Sequence, residues 1–206
     1  MVSRGKLITL EGVDGAGKST HLEWIAARLR DAGKDVVMTR EPGGTPLGEA
    51  LRELVLTQSM TLNTEALLIF AARSEHIAKV ILPALEAGRW VLSDRFTDAT
   101  FAYQGGGRGL AEERISILED WVQCGLQPDL TLFFDVPLEV ARQRLLAQGT
   151  ALDRFEQENL EFFIRVRAGY CARVTGQPAR FRQIDGTKSR DEIRKLLEEI
   201  VSTLCL

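Results

Sequence analysis

Gly12-Val13-Asp14-Gly15-Ala16-Gly17-Lys18-Ser19 has the spacing G-x-x-x-x-G-K-S, and its surroundings fit that pattern. Ahead of it, Leu7-Ile8-Thr9-Leu10 is a short apolar run of the kind that makes a buried parallel strand. Behind it, Ser19-Thr20 lead into Leu22, Trp24-Ile25 and Leu29 at helical spacing, and Gly33 stops the run. Strand, glycine loop and helix in that order make an anion cradle. The glycines let backbone N–H groups turn inward, and the helix N-terminus adds its dipole. Lys18 is placed to reach the β- and γ-phosphate oxygens, and the Ser19 hydroxyl to ligate Mg²⁺. Gly12, Val13, Asp14, Gly15, Ala16, Gly17, Lys18, Ser19 and Thr20 are therefore the expected seat of a nucleoside triphosphate.

Working outward, Asp35 to Thr39 reads as a second strand, and Thr45 with Pro46 as the cap and first residue of a helix reaching about Leu56. Asn63 to Glu86 is a long helical pattern, interrupted by Pro83 and closed by Gly88. Trp90 to Ser93 is a third strand, ending on Asp94-Arg95. Gly105 to Gly109 reads as a glycine-rich bend before a helix from about Ala111 to Cys124. Leu130 to Val136 is a fourth strand, and Pro137 starts a helix ending near Gly149. Glu156 to Val174 is a further helix and Phe181 to Ile184 a last strand. Ser189-x-x-Glu192 is a capping box at the head of the final helix. Strands alternating with helices predict an α/β fold: a five-stranded parallel sheet with helices on both faces. Residues 1–206 are expected to form one domain, without repeats or a dividing linker.

Composition narrows the function. No apolar run approaches the roughly 20 residues of a membrane span, and Met1 to Lys6 run straight into the first strand, so no signal peptide is expected. Cys124, Cys171 and Cys205 lack metal-type spacing and fit a reducing compartment, which points to the cytoplasm. A net charge of −3 argues against a nucleic acid polymer as main partner.

In such sheets ligands collect at the carboxyl ends of strands. These ends carry the phosphate loop, Arg40-Glu41, Asp94-Arg95 and Asp135. Asp94 stands where a Mg²⁺-associated carboxylate is expected, directly or through water. The loop itself contributes no arginine, so further positive charge must come from elsewhere. Arg142 and Arg144 lie late on one helix, and Arg154 follows the Gly149-Thr150-Ala151 break. A segment of about 142–158 carrying these arginines suits a short closing lid. An acceptor pocket is suggested by Phe70 and Arg73, which share a helix face and pair an aromatic platform with a guanidinium donor. Asp14 is open to two readings, as a neighbour of Mg²⁺ or of an acceptor hydroxyl.

LITLEGVDGAGKST, TREPGGT, FAARSEH, LSDRFTDATFAYQGGGRG, PDLTLFFDV and LDRFEQE follow one another along nearly the whole chain. In this order and spacing they resemble the bacterial thymidylate kinases, in the superfamily of phosphate-loop nucleoside monophosphate kinases. The resemblance implies the three-layer phosphate-loop kinase fold with a lid. It also implies γ-phosphoryl transfer from ATP to dTMP, giving dTDP, a Mg²⁺ requirement and a homodimer. Carried over by position, Arg95 and Arg52 would hold the dTMP phosphate, and Glu41 and Tyr103 would lie along its sugar. Phe70 would stack on thymine, Arg73 would meet its O4, and Thr100 and Gln104 would approach the ring edge. The family commonly sets the stacking aromatic four residues before the arginine, where this chain has Ile69, so either Ile69 or Phe70 faces the base. Arg154 would act from the lid beside Lys18, Asp94 and Arg95, and Asp185-Gly186-Thr187 would lie along adenine. The alternatives are a kinase for another nucleoside monophosphate or deoxynucleoside, a phosphate-loop switch or a non-catalytic nucleotide-binding scaffold. Against the switch, no Asn-Lys-x-Asp guanine reader is present; against the scaffold, Lys18, Ser19, Asp94 and Arg95 are all intact.

Overall fold

The structure, a computed structural model, describes residues 4–147 and 153–205. Its centre is a five-stranded sheet of β1 (Leu7–Glu11), β2 (Val36–Arg40), β3 (Trp90–Asp94), β4 (Leu130–Asp135) and β5 (Phe181–Asp185). The spatial order is β2-β3-β1-β4-β5, and every neighbouring pair is parallel. Strands β1 and β3 are almost wholly buried, as their apolar runs require in a sheet covered on both faces. The chain crosses from one side of β1 to the other between β3 and β4. The phosphate loop therefore leaves β1 at the crevice where such sheets bind ligands.

Helix α1 (Lys18–Asp31) starts directly from Gly17 and buries Ile25, Ala26 and Leu29. Helix α2 (Pro46–Thr57) carries the expected cap, with Gly48 N–H donating to Thr45 Oγ1 at 2.9 Å. The long helical stretch differs from expectation. Helix α3 (Leu62–His76) passes without a break through a π-helical turn, Ile77–Ile81, into α4 (Leu82–Glu86). The irregularity immediately precedes Pro83, which sits at the start of α4 and lacks the N–H that a regular α-helix would bond there.

The glycine-rich bend is also corrected. A helical turn, α5 (Thr97–Thr100), continues into a second π-helical segment, Phe101–Gly107, so Gly105 to Gly107 lie in or end a helix. Gly106 and Gly107 permit contact with α8 (Leu160–Gly176): a Cβ on Gly106 would lie 2.7 Å from the Arg165 carbonyl oxygen. Helix α6 (Glu112–Gln123) and helix α7 (Leu138–Ala147) follow the predicted pattern. The predicted end of α7 near Gly149, and the Gly149-Thr150-Ala151 break, lie outside the described residues. Helix α8 begins at Leu160 rather than Glu156, because Asn159 accepts from Phe162 N–H and caps it. Helix α9 (Arg190–Cys205) opens on the predicted capping box, Ser189 N–H donating to Glu192 Oε2 at 2.9 Å. No described helix is long and apolar enough to cross a membrane.

The contact between the Phe101–Gly107 segment and α8 sets the wall of the cavity described below. Gly106→Ala, driven against a backbone carbonyl, is expected to lower stability by about 1–3 kcal/mol in urea denaturation. An unchanged midpoint would contradict the close approach.

Candidate active site

The phosphate loop is shaped by residues that tolerate no side chain. Gly12 has φ 137° and would press a Cβ to 2.4 Å from the Phe134 carbonyl oxygen; Gly15 has φ 80° and would meet the Ala141 carbonyl oxygen. Lys18 Nζ donates to the carbonyls of Gly12 at 2.9 Å and Val13 at 3.2 Å, and lies 4.0 Å from Asp14 Oδ1. Burial and the Arg95 charge lower its pKa. Asp14 to Thr20 line a cleft of about 840 Å³; Gly12 and Val13 do not, and Val13 lines a separate groove. Asp94, Arg95, Arg144 and the Gly186-Thr187 turn line the same cleft. Asp185 Oδ1 accepts from the Thr187 N–H at 2.9 Å, which pins that turn. Asp94 Oδ1 is buried and has no hydrogen-bond partner.

Arg95 holds the middle of the site. Its backbone sits at φ 70°, in the left-handed region that non-glycine residues rarely adopt. Its N–H donates to Leu10 O at 2.9 Å, and its carbonyl accepts from Ser93 Oγ at 2.7 Å. Its guanidinium donates to Asp14 Oδ1 at 2.7 Å, Tyr170 Oη at 2.9 Å and Tyr103 Oη at 3.1 Å. Burial pushes the Asp14 carboxyl up, but the Arg95 and Lys18 charges outweigh it and hold the group down at about 2. Behind Arg95, the fully buried Glu11 accepts from Tyr170 Oη at 2.9 Å and from Phe96 N–H at 2.7 Å. Burial and the nearby Asp98 charge raise the Glu11 carboxyl to about 8.

Beside the cleft lies a second cavity, and Asp14, Glu41, Arg52 and Arg95 line both. Its floor is Arg73, only 1% exposed. Arg73 Nε donates to Glu41 Oε2 at 2.7 Å and Nη2 to Thr100 Oγ1 at 3.0 Å, while Nη1 is buried without a partner. The other oxygen of Glu41 meets His76 Nδ1 at 2.9 Å, and His76 Nε2 meets Thr39 Oγ1 at 2.6 Å. Arg52 Nη1 donates to Pro42 O at 3.0 Å. Its pKa is lowered by burial and by Arg40 and Arg95, so cations converge here against their mutual repulsion. That is how a site for an anion is built.

Tyr103, Thr100 and Gln104 line this cavity. Phe70 does not. It packs with Ala66, Phe101, Leu110 and Ile115, and Ile69 takes its place in the cavity wall. The Phe70 ring instead backs the Arg73 guanidinium, 4.7 Å away.

Arg154 is the other correction. It donates to Val55 O at 3.0 and 2.8 Å and to Glu65 Oε2 at 2.5 Å, away from the phosphate cleft. A buried carboxylate outcompetes the open cleft for this guanidinium. Arg144 lines the cleft instead, and Arg142 faces a separate groove between α7 and the start of α8. The sequence reading did not single out Glu11, Tyr170, His76 or Glu65. Glu65 had a signal: it sits four and eight residues before Ile69 and Arg73 on one helix face.

The family model described as thymidylate kinase matches residues 10–197. A thymidylate kinase of Cupriavidus metallidurans is 66% identical over 201 residues, covering 98% of this chain and all of the relative. One from Bordetella petrii is 58% identical, with 99% and 98% covered. The crystal structure of thymidylate kinase from Ehrlichia chaffeensis superimposes with a TM-score of 0.79 at 34% identity, covering 98% of this chain and all of that one.

Glu11 yields a pH prediction. In the folded chain it keeps its proton to about pH 8, against an ordinary value of 4.5. Between these values the unfolded chain binds fewer protons, so Glu11 makes stability fall as pH rises through that window. Glu11→Gln does not titrate, so the stability of the natural chain relative to this variant should decline from pH 5 to 8. Parallel stability curves would contradict a protonated Glu11.

Proposed function

The chain belongs to the thymidylate kinase family and phosphorylates dTMP to dTDP with ATP as donor, and we propose that the cleft and the cavity are its two nucleotide sites. The observation that carries this reading is their common wall. Asp14 and Arg95 face both spaces, so a donor phosphate and an acceptor phosphate would meet across one guanidinium.

In this reading the triphosphate of ATP lies along Asp14 to Thr20, gripped by loop amides and Lys18, with adenine toward Asp185-Gly186-Thr187. The thymine ring enters the cavity with Ile69 against its face. Arg73 Nη1 donates to O4, Thr100 and Gln104 approach the ring edge, and Glu41 and Tyr103 follow the sugar. Arg52 and Arg95 hold the acceptor phosphate, and Asp14 keeps Arg95 aimed at it. An oxygen of that phosphate attacks the γ-phosphorus in line with the departing ADP oxygen, and Lys18 and the arginines balance the charge. Ser19 and Asp94 fit a Mg²⁺ ion, because the buried Asp94 Oδ1 has no other partner. Bound there, directly or through water, such an ion supplies charge neutralisation at the transferring group. Among the described residues no cluster of three or more His, Cys, Asp or Glu is placed to hold a metal, so most of its ligands would come from phosphate and water.

The segment 142–158 serves as the lid of a single domain, with Arg144 supplying charge at the cleft and Arg154 tethering the far end. A homodimer is supported by exposed apolar side chains on neighbouring helices: Leu47 and Leu54 on α2, Leu67 on α3, Ile117 and Trp121 on α6. The three cysteines are all free, which suits the cytoplasm.

A panel of monophosphate acceptors assayed with ATP and Mg²⁺ should show dTMP strongly preferred over AMP, GMP and dCMP; any of these outrunning dTMP would reject the assignment. Lys18→Ala is expected to cut turnover by roughly 10²–10³-fold. Arg73→Ala should raise the KM for dTMP by about tenfold or more and leave the KM for ATP nearly unchanged. Equal loss for both nucleotides would place Arg73 outside the acceptor pocket.

A further inference from the structure

Glu65 is a buried carboxylate with three polar partners, and phosphoryl transfer at the two nucleotide sites does not use it. It is 1% exposed, in the first turn of α3. Oε1 accepts from Gln104 Nε2 at 2.8 Å and lies 3.1 Å from Arg108 Nε. Oε2 accepts from Arg154 Nη2 at 2.5 Å. Arg108 reaches on to Glu158 Oε1 at 3.0 Å, so Glu65 ties the acceptor cavity to the end of the lid segment.

The Gln104 contact has a chemical direction. A carboxylate only accepts, so the side of the Gln104 amide that faces Glu65 must be its NH₂. The carbonyl Oε1 is thereby turned the other way. Gln104 lines the acceptor cavity, and no donor among the described residues reaches Oε1. Arg73, eight residues beyond Glu65 on the same helix face, lines the same cavity, and its buried Nη1 has no partner. One cavity is thus lined by an acceptor that Glu65 of α3 orients and by a donor on α3 itself. Thymine offers the matching pair, N3–H and O4. Cytosine offers the inverse, a bare N3 and an amino group.

Resting on the reading of this cavity as the dTMP site, we propose that Glu65 is a positioning residue for base selection, which fixes the Gln104 amide so that the cavity accepts from N3–H and rejects cytosine. A site that leaves a buried acceptor facing another acceptor discriminates strongly, because neither group finds a partner. The fixed amide does not read the 5-methyl group, so dUMP and dTMP satisfy it equally.

The test is the ratio of kcat/KM for dTMP over dCMP in the natural enzyme and in Glu65→Gln. The new amide can donate as well as accept, which frees Gln104 to turn over. The ratio is expected to fall by about tenfold or more, with the KM for dTMP raised and the KM for ATP unchanged. In a Gln104→Leu background the same substitution should leave the ratio untouched, because no amide remains to be oriented. If Glu65→Gln does not fold, Glu65→Asp retains the charge for both arginines, withdraws the carboxylate by one methylene and carries the same comparison. An unchanged ratio in the folded variant, or an equal change with and without Gln104, would overturn the proposal. If Gln104→Leu alone leaves selectivity unaltered, the placement of the base is at fault rather than the role of Glu65.

Discussion

The structure turns on the Arg95 guanidinium and the groups that hold it. Asp14 in the phosphate loop, Tyr103 in the π-helical segment and Tyr170 in α8 reach it from three separate elements. None of these contacts forms until the loop, the sheet and α8 have packed. A buried cation with this many partners has few alternative places to go, because leaving any partner behind exposes an unpaired polar group to a low-dielectric interior. The left-handed backbone at Arg95 belongs to the same constraint. It lets the chain leave β3 with the side chain directed back over the loop, and the surrounding bonds hold it there. Nucleotide recognition and folding therefore draw on one set of contacts.

The charges are balanced within the site. Arg40, Arg52, Arg95 and Arg144 line the cleft with Lys18, and polyanionic substrates suit them. Among them, Asp14 and Glu41 neutralise part of that charge and orient Arg95 and Arg73. Deepest is Glu11, which burial keeps protonated, so it does not cancel Arg95. A fully ionised carboxylate there would weaken the grip on phosphate; a neutral one still accepts the Tyr170 and Phe96 hydrogen bonds.

What could be read from the sequence was what is local along the chain. The glycine loop, the strand runs, the Thr45-Pro46 start and the Ser189 capping box each fall within a few residues, and each stands where expected. So does the clustering of ligand residues at strand ends, which follows from parallel topology alone. The misses have long reach. Glu11 meets Tyr170 across 159 residues, and Arg154 meets Glu65 across 89, distances over which periodicity says nothing. Phe70 and Ile69 are adjacent on α3, and only the packing of Phe101, Leu110 and Ile115 decides which of them turns inward. Gly105 to Gly107 read as a bend because glycine usually breaks helices, whereas here the close approach of α8 demands that Gly106 and Gly107 lack a side chain.

The central claim is that two nucleotide sites meet at the Asp14–Arg95 wall, close enough for direct transfer. Calorimetric titration with adenosine and thymidine joined through their 5′ oxygens by a chain of phosphates tests this most directly. The account predicts one ligand per chain, binding about 10² or more times tighter than either nucleotide alone and excluding both ATP and dTMP. Binding no tighter than ATP, with the acceptor cavity still open to dTMP, would contradict it.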